Sequence, residues 1–333
     1  MPLVSSTYTP PPLLSGGHVQ TLFATLARSL DFAYDARERI DTPDGDFLDL
    51  DWARARKPHA NGSASQQREA AIVTHGLEGS TARSYMRGMT QALVRHGWDV
   101  CAWNLRGCSG MPNRQVATYH SGKTEDLAHV VRHVQAAGYD RIVLVGFSLG
   151  GNLTLKYLAE HDAASHPVRR AVAFSTPVDL AAAADRISDP RNWHYTLYFL
   201  RALRATIRAK AKQHPNAVST DPFRSIRTLR DFDDVYTAPL NGFRDAADYY
   251  AQASSKPLLP DVDVPALLVN AANDPFLPGA CYPKQTAARH PHLTLEVPAS
   301  GGHVGFVDFN DAHTYWSEQR AVAFLNGAPP DGA

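Results

Sequence analysis

The sequence has few cysteines, no net charge and no long apolar run. Its three cysteines, Cys101, Cys108 and Cys281, are too few and too scattered for a disulfide framework or a zinc site. They favour a reducing compartment, which we expect to be the cytoplasm. Lysine plus arginine total 33, and aspartate plus glutamate also total 33. This balance argues against nucleic acid as a partner, because nucleic acid usually requires a net basic face.

Segments that would direct the chain into a membrane are also lacking. The first residues, MPLVSSTYTPPPLL, have neither the basic start nor the apolar run of a secretory signal. No stretch approaches the roughly 18 unbroken apolar residues of a membrane-spanning helix. We therefore expect no membrane span, whereas peripheral contact with lipid stays open.

Short apolar segments alternate with helical patterns along most of the chain. The first, FLDLDW, alternates apolar and polar residues, which is typical of a half-exposed antiparallel strand. The others are rich in valine, leucine and isoleucine, as in a parallel sheet covered on both faces. The predicted strands are 47–52, 70–76, 98–104, 141–147, 169–175, 265–271 and 293–298, and the predicted helices are 84–96, 123–137, 149–161, 283–290 and 314–325. The alternation predicts an α/β fold, a mostly parallel sheet of about eight strands with helices on both faces.

One long segment has no confident strand. It is too long for a loop in a compact domain, so we expect a helical cap insertion at about 176–255, in a single domain spanning 1–333. Within it, Leu200, Leu203 and Ile207 follow helical spacing. A second side of the same helix is basic, with Arg201, Arg204, Arg208 and Lys212. That side either faces solvent, the interpretation we favour, or contacts anionic lipid or substrate.

Three further parts of the chain carry less specific signals. The segment 60–67, ANGSASQQ, is predicted to be a polar loop, and 326–333, NGAPPDGA, a frayed tail. The aromatic residues of the insertion either line an apolar acyl pocket or form the insertion's own core, which is the more common case. These residues are Trp193, Tyr195, Tyr198 and Phe199.

The strongest chemical signal is a G-x-S-x-G motif centred on Ser148. It occurs once, as Gly146-Phe147-Ser148-Leu149-Gly150, between a predicted strand and a predicted helix. A serine in this context sits on a sharp turn with its hydroxyl exposed above the sheet, and the glycines let neighbouring backbone approach. We therefore predict Ser148 as a nucleophile rather than a helix-capping serine.

A serine nucleophile requires two amide donors for the oxyanion. Leu149 follows the serine directly, at the positive end of the following helix. Leu77 follows the strand ending in His75-Gly76, where glycine allows the chain to turn toward the site. We predict the Leu77 and Leu149 amides as the oxyanion hole, and His75 as a structural turn residue.

The serine also requires a base and an orienting acid, which follow it in the chain order serine, acid, histidine. Asp274 lies just after a late strand in the turn Asn273-Asp274-Pro275, and we favour it as the acid. Asp179 is the competitor, although it also suits a helix N-cap. The base is expected after the last strand, where His303 lies in a glycine-rich loop.

The string SGGHV that contains His303 occurs twice. The other copy, at 15–19, precedes the first predicted strand, where the triad order requires no histidine. We therefore expect a structural role for His18, because a lone histidine seldom does chemistry without a placed partner.

Several stretches, in order along nearly the whole chain, resemble the YheT-like branch of the α/β-hydrolase superfamily, also called AB hydrolase family 4. This branch is related to the plant embryogenesis-associated EMB8 proteins and to animal α/β-hydrolase-domain lipases. The similar stretches are GGHVQTL, THGLEGSTARSYM, NLRGCSG, YHSGKTEDL, GFSLGGNLTLKYL, ANDPFLP and SGGHVGF. Larger relatives carry an N-terminal membrane anchor, which we do not find in this sequence.

The resemblance implies an α/β-hydrolase fold and a serine esterase that acts on carboxylic esters, with a small-molecule acyl ester as substrate and no metal or organic cofactor. It assigns Ser148, Asp274 and His303 as the catalytic triad. It also implies that the GGHVQTL stretch either packs beside the site or braces the cap. Two alternatives stay open. The same triad can transfer the acyl group to an alcohol or thiol, and a hydrolase scaffold can serve as a binding module. The binding module is disfavoured because every part of the triad is present.

Overall fold

A single nine-stranded sheet runs through the residues that the computed structural model describes, 3–56 and 68–327. The predicted polar loop at 60–67 and the predicted tail from 328 onward lie outside these residues. The strands are β1 (Leu3–Val4), β2 (Ala36–Asp41), β3 (Phe47–Ala53), β4 (Glu69–Thr74), β5 (Asp99–Asn104), β6 (Arg141–Phe147), β7 (Val168–Phe174), β8 (Ala266–Val269) and β9 (Leu293–Glu296). Their order across the sheet is β1-β9-β8-β7-β6-β4-β5-β3-β2. Strand β3 pairs antiparallel with β2 and β5, and all other pairs are parallel.

The same described residues also form α-helices, which lie between and after the strands in the chain. They are α1 (Gly17–Leu26), α2 (Ser84–Arg95), α3 (Thr124–Ala136), α4 (Leu149–Glu160), α5 (Leu180–Ile187), α6 (Trp193–Gln213), α7 (Leu229–Phe232), α8 (Ala238–Leu240), α9 (Ala246–Ala253), α10 (Lys284–Arg289) and α11 (Trp316–Leu325). A π-helical turn, Asp233–Thr237, joins α7 to α8. Short 3₁₀ turns lie at Ala163–Ser165, Pro190–Asn192, Asp221–Arg224, Lys256–Asp261 and Gly279–Cys281.

The predicted fold class is confirmed, because the sheet is mostly parallel and buried on both faces. Along β4, Ala70 and Ile72 belong to one hydrophobic cluster, whereas Ala71 and Val73 belong to another. Successive side chains of a strand point to opposite faces of the sheet. Because both faces are covered here, every position of the strand has to be apolar. All seven predicted strands are present. The sheet has nine strands rather than about eight, because β1 and β2 join its edges.

The expectation of a half-exposed first strand is wrong. Every residue of β3 is buried, including Asp49 and Asp51. Each aspartate accepts two hydrogen bonds from one arginine of β2. Arg39 Nε lies 2.7 Å from Asp49 Oδ1, and Arg37 Nε lies 2.7 Å from Asp51 Oδ1. A carboxylate with such a partner can be buried, so alternation of apolar and polar residues did not mean alternation of exposure.

The segment 176–255 contains α5 to α9 and no strand. The predicted apolar side of α6 is buried and belongs to a hydrophobic cluster separate from those of the sheet. Of the basic side, Arg201, Arg208 and Lys212 are exposed. Arg204 instead donates from Nη2 to the carbonyl oxygens of Phe223 and Ile226, at 3.2 and 2.9 Å. The division of the chain into one domain with a cap insertion stays a prediction.

Helices long and apolar enough to cross a membrane are absent from the described ranges 3–56 and 68–327.

A buried ion pair fixes the strand that leads toward His303. Arg320 of α11 donates from Nε to Glu296 Oε2 at 2.7 Å, and the two residues are 5% and 1% exposed. We expect Arg320→Ala to lower the free energy of unfolding by about 3–5 kcal/mol, because Glu296 would be left buried without its partner. Urea denaturation measures the change.

Arg141→Ala is the matched control for that measurement. Arg141 pairs with Glu69 at 2.7 Å, but its side chain is 50% exposed. We expect a loss below about 1 kcal/mol for this surface pair. Equal losses in the two variants would contradict the role given to burial.

Candidate active site

Ser148 lies alone between the end of β6 and the start of α4, in a strained backbone conformation. Its φ is 53° and its ψ is −119°, a region that residues with a side chain rarely adopt. The glycines of the motif allow this turn by packing closely. A Cβ at Gly150 would lie 2.5 Å from the carbonyl oxygen of Thr74, and one at Gly146 would overlap the carbonyl oxygen of Gly150.

The structure brings Ser148, His303 and Asp274 together. His303 Nε2 lies 2.9 Å from Ser148 Oγ, and His303 Nδ1 lies 2.9 Å from Asp274 Oδ2. Asp274 is 3% exposed, and its Oδ1 accepts a hydrogen bond from the Phe276 amide at 2.8 Å. Since the carboxylate accepts from Nδ1, that nitrogen carries the imidazole proton, and Nε2 is left to accept the hydroxyl proton of Ser148.

The competing acid, Asp179, is engaged elsewhere. Its Oδ1 accepts a hydrogen bond from the Ala182 amide at 3.2 Å, as an N-cap of α5. Its Oδ2 lies 3.1 Å from Lys256 Nζ. Asp274, and not Asp179, is therefore the carboxylate beside His303.

The loop that carries His303 is held by hydrogen bonds to its backbone. The His303 amide donates to Thr21 Oγ1 on α1 at 2.8 Å. The amides on either side are also bonded: Gly302 donates to Asn273 Oδ1 at 3.0 Å, and Val304 donates to Ser175 Oγ at 2.8 Å. Side-chain acceptors from three separate segments thus fix the position of the imidazole.

The two SGGHV copies pack directly against each other and the acid loop. The carbonyl oxygen of Ser15 accepts from Asn273 Nδ2 and from Ser300 Oγ, both at 2.8 Å. A Cβ at Gly17 would overlap the carbonyl oxygen of Asn273, and a Cβ at Gly302 would overlap that of Gly17. The resemblance left open whether the GGHVQTL stretch packs beside the site or braces the cap, and neither helix α1 nor this specific contact was predicted. The repeated glycine pair was the signal that could have indicated it, because paired glycines permit close backbone approach.

His18 itself points toward α6. Its ring stacks on Tyr195 with centroids 5.7 Å apart, and its Nδ1 lies 3.2 Å from Tyr195 Oη. Burial, followed by the charges of His194 and Arg186, lowers the pKa of His18. The ring of Tyr195 in turn contacts Phe276 at 4.6 Å, and Phe276 contacts the His303 ring at 4.3 Å.

His75 holds the turn that leads to Leu77. It is fully buried, its Nε2 accepts from the Leu105 amide at 3.1 Å, and its Nδ1 donates to the Gly76 carbonyl oxygen at 2.7 Å. Burial lowers its pKa to about 4, so the ring is neutral near pH 7. A neutral imidazole that is bonded at both nitrogens to backbone groups is a structural element of the turn.

This turn brings the backbone before Leu77 against Ser148. A Cβ at Gly76 would lie 3.1 Å from the Cβ of Ser148, so only glycine fits without displacement. Leu77 follows at once, and Leu149 is the first residue of α4. Both residues line a cavity that includes Ser148. The structure thus places both residues predicted for the oxyanion hole in the same cavity wall as the serine.

Two spaces open beside Ser148. A cavity of about 110 Å³ lies beneath α5, α6, α7 and α9, and a groove of about 650 Å³ runs between α1, α2 and the start of α6. Of the aromatic residues considered above, Tyr195, Tyr198 and Phe199 line the groove, and Trp193 is 65% exposed.

A half-buried carboxylate, Glu78, forms part of the cavity wall. It accepts from Tyr119 Oη at 2.7 Å and from Thr206 Oγ1 at 3.0 Å. Burial raises its pKa.

The described residues contain no cluster of three or more histidine, cysteine, aspartate or glutamate side chains suited to a metal ion.

Comparison with known proteins places this geometry in a family. The family model described as alpha/beta hydrolase fold matches residues 72–309. "Putative esterase YheT" of Escherichia coli is 34% identical over 96% of this chain and 93% of its own length. "Phospholipase ABHD3" of Homo sapiens is 30% identical over 92% of this chain and 75% of its own length.

Similarity also extends to a plant protein and to solved structures. "Embryogenesis-associated protein EMB8" of Picea glauca is 30% identical over 94% of this chain and 71% of its own length. The Pyrococcus furiosus esterase Pf2001 shares the fold at a TM-score of 0.56, with 16% identity over 97% of each chain. On these grounds the chain belongs to the α/β-hydrolase family, in the YheT-like branch that is related to esterases and lipases.

Proposed function

We propose that this protein is a serine hydrolase that cleaves carboxylic esters through an acyl-enzyme. One observation carries the proposal: His303 bridges Ser148 Oγ and Asp274 Oδ2 at 2.9 Å on each side. The strained backbone of Ser148 and the esterase and phospholipase names of its relatives support it.

In the first half of the reaction, Ser148 Oγ attacks the acyl carbonyl carbon and gives its proton to His303 Nε2. Asp274 stabilises the imidazolium that forms. The carbonyl π bond becomes the oxyanion, for which the amides of Leu77 and Leu149 are the proposed donors. One such donor typically contributes about 3 kcal/mol to the transition state.

The intermediate then collapses. The bond to the alcohol oxygen breaks, and that oxygen takes the proton from His303 Nε2, so the alcohol leaves neutral. Water attacks the acyl-enzyme and gives a proton to His303, which returns it to Ser148 Oγ as the acid departs. No metal or organic cofactor takes part in this route.

Acyl transfer is the alternative outcome of the same acyl-enzyme. An alcohol or thiol would replace water in the second half, with His303 taking its proton. A binding module without catalysis would make no acyl-enzyme. Product analysis with added alcohol separates transfer from hydrolysis, because transfer yields a new ester in place of free acid.

Labelling by a fluorophosphonate probe tests the nucleophile. We expect the wild type to be labelled, and Ser148→Ala and His303→Ala to lose labelling, because the first removes the attacking oxygen and the second its base. Gel fluorescence of the purified proteins measures this.

His18→Ala serves as the histidine control in the same experiment. We expect it to retain labelling, because its ring contacts Tyr195 and not Ser148. An unlabelled wild type would overturn the serine-hydrolase proposal, and loss of labelling in folded His18→Ala would show that His18 belongs to the catalytic machinery.

Thr21 is expected to position the base. Thr21→Val keeps the shape of the side chain but removes the acceptor of the His303 amide. We expect kcat for p-nitrophenyl butyrate to fall about tenfold, which corresponds to about 1.4 kcal/mol for an unpartnered amide, while KM changes little. Steady-state kinetics measure both constants.

Thr25→Val makes the same change one helical turn later. Thr25 Oγ1 donates only within α1, to the Thr21 carbonyl oxygen at 2.9 Å. We expect kcat to stay within about twofold, the effect of a local hydrogen bond on a helix surface. The positioning role of Thr21 fails if the two variants behave alike.

A further inference from the structure

The two spaces beside Ser148 differ in size and surroundings. They share two lining residues, Ser148 and Leu77, and therefore meet at the nucleophile. Most residues that line the 110 Å³ cavity are buried, whereas the 650 Å³ groove includes exposed residues such as Leu22 and Leu26 of α1. The walls of the cavity are therefore more deeply buried than the walls of the groove.

The chemistry of the intermediate decides which part of an ester enters which space. The tetrahedral carbon holds Ser148 Oγ, the oxyanion, the leaving oxygen and the acyl chain. The leaving oxygen must lie within hydrogen-bond reach of His303 Nε2, which gives it a proton. His303 lines the groove and not the cavity. The alcohol therefore extends along the groove, and the acyl chain turns away from His303 into the cavity.

The volume of the cavity limits the acyl chain. A protein cavity of about 150 Å³ accommodates benzene, so about 110 Å³ has room for about four carbon atoms. Leu203 and Ile207 of α6, together with Phe232 of α7, contribute apolar wall to it, and all three are buried. Longer chains would have to displace packed side chains.

We propose that the preferred substrates are esters of short acids, of up to about four carbons, with large alcohols. The short acyl group occupies the cavity beneath α5, α6, α7 and α9, and the alcohol occupies the groove between α1, α2 and α6. This inference rests on the proposed esterase function, and adds to it which end of the substrate is restricted.

A pair of isomeric esters tests the assignment in the wild type. Octyl butyrate and butyl octanoate have the same formula and similar hydrophobicity and leaving groups, and they differ in which side of the ester bond is long. We expect kcat/KM for octyl butyrate to exceed that for butyl octanoate at least tenfold, measured by pH-stat titration of the released acid below the solubility limit. An equal or reversed preference would overturn the inference.

Two leucines of α6 provide a matched pair of variants. Leu203 lines the cavity, whereas Leu200 lines neither space, and the two are 8% and 4% exposed in the same hydrophobic cluster. We expect Leu203→Ala to raise the butyl octanoate to octyl butyrate ratio of kcat/KM at least fivefold, and Leu200→Ala to leave it unchanged. The assignment of the cavity fails if both variants shift the ratio alike.

Fluorophosphonate labelling separates failure of this inference from failure of the proposed function. A wild type that is labelled but prefers butyl octanoate refutes the acyl-length limit and leaves the serine hydrolase intact. A wild type that is neither labelled nor active on either ester refutes both. The comparison of isomers requires no variant, so it holds even where Leu203→Ala does not fold.

Discussion

The strained backbone at Ser148 is the constraint on which the rest of the site depends. A non-glycine residue at φ 53° is held there because β6 ends one residue before it and α4 starts one residue after it. The surrounding structure must supply the energy that this conformation costs. Gly146 and Gly150 have no side chains, so the backbones of β4, β6 and α4 can pack closely around the Ser148 hydroxyl.

The order of strands and helices was accessible from the sequence because buried parallel strands are continuous apolar runs. The edge strand β2 could not be predicted from the sequence. Its residues, ARERID, are mostly charged, and arginine–aspartate pairs to β3 stabilise it. The paired residues are 10 and 14 positions apart in the chain, so the pattern of neighbouring residues within one strand does not reveal them. Chain order likewise indicated Asp274 and His303, whereas the contact of α1 with their loops depends on tertiary packing alone.

The two copies of SGGHV resemble each other for a reason of packing rather than of chemistry. A Cβ at Gly302 would overlap the carbonyl oxygen of Gly17, and a Cβ at Gly17 would overlap the carbonyl oxygen of Asn273. The histidines that follow diverge: His303 turns to Ser148, and His18 turns to Tyr195. The glycine pairs therefore mark places where backbones pack closely, and the histidines that follow them do not share a function.

Helix α6 connects both sides of the site. Near its start, Tyr195 contacts Phe276 beside His303, and two turns later Leu203 faces the cavity. Near its end, Lys210 is buried and donates from Nζ to the carbonyl oxygen of Asn113 at 2.9 Å, and burial lowers the pKa of Lys210 to about 8. A helix of 21 residues spans about 30 Å. Because α6 forms one wall of the groove and one wall of the cavity, a shift of this helix changes the space for the alcohol and for the acyl chain together.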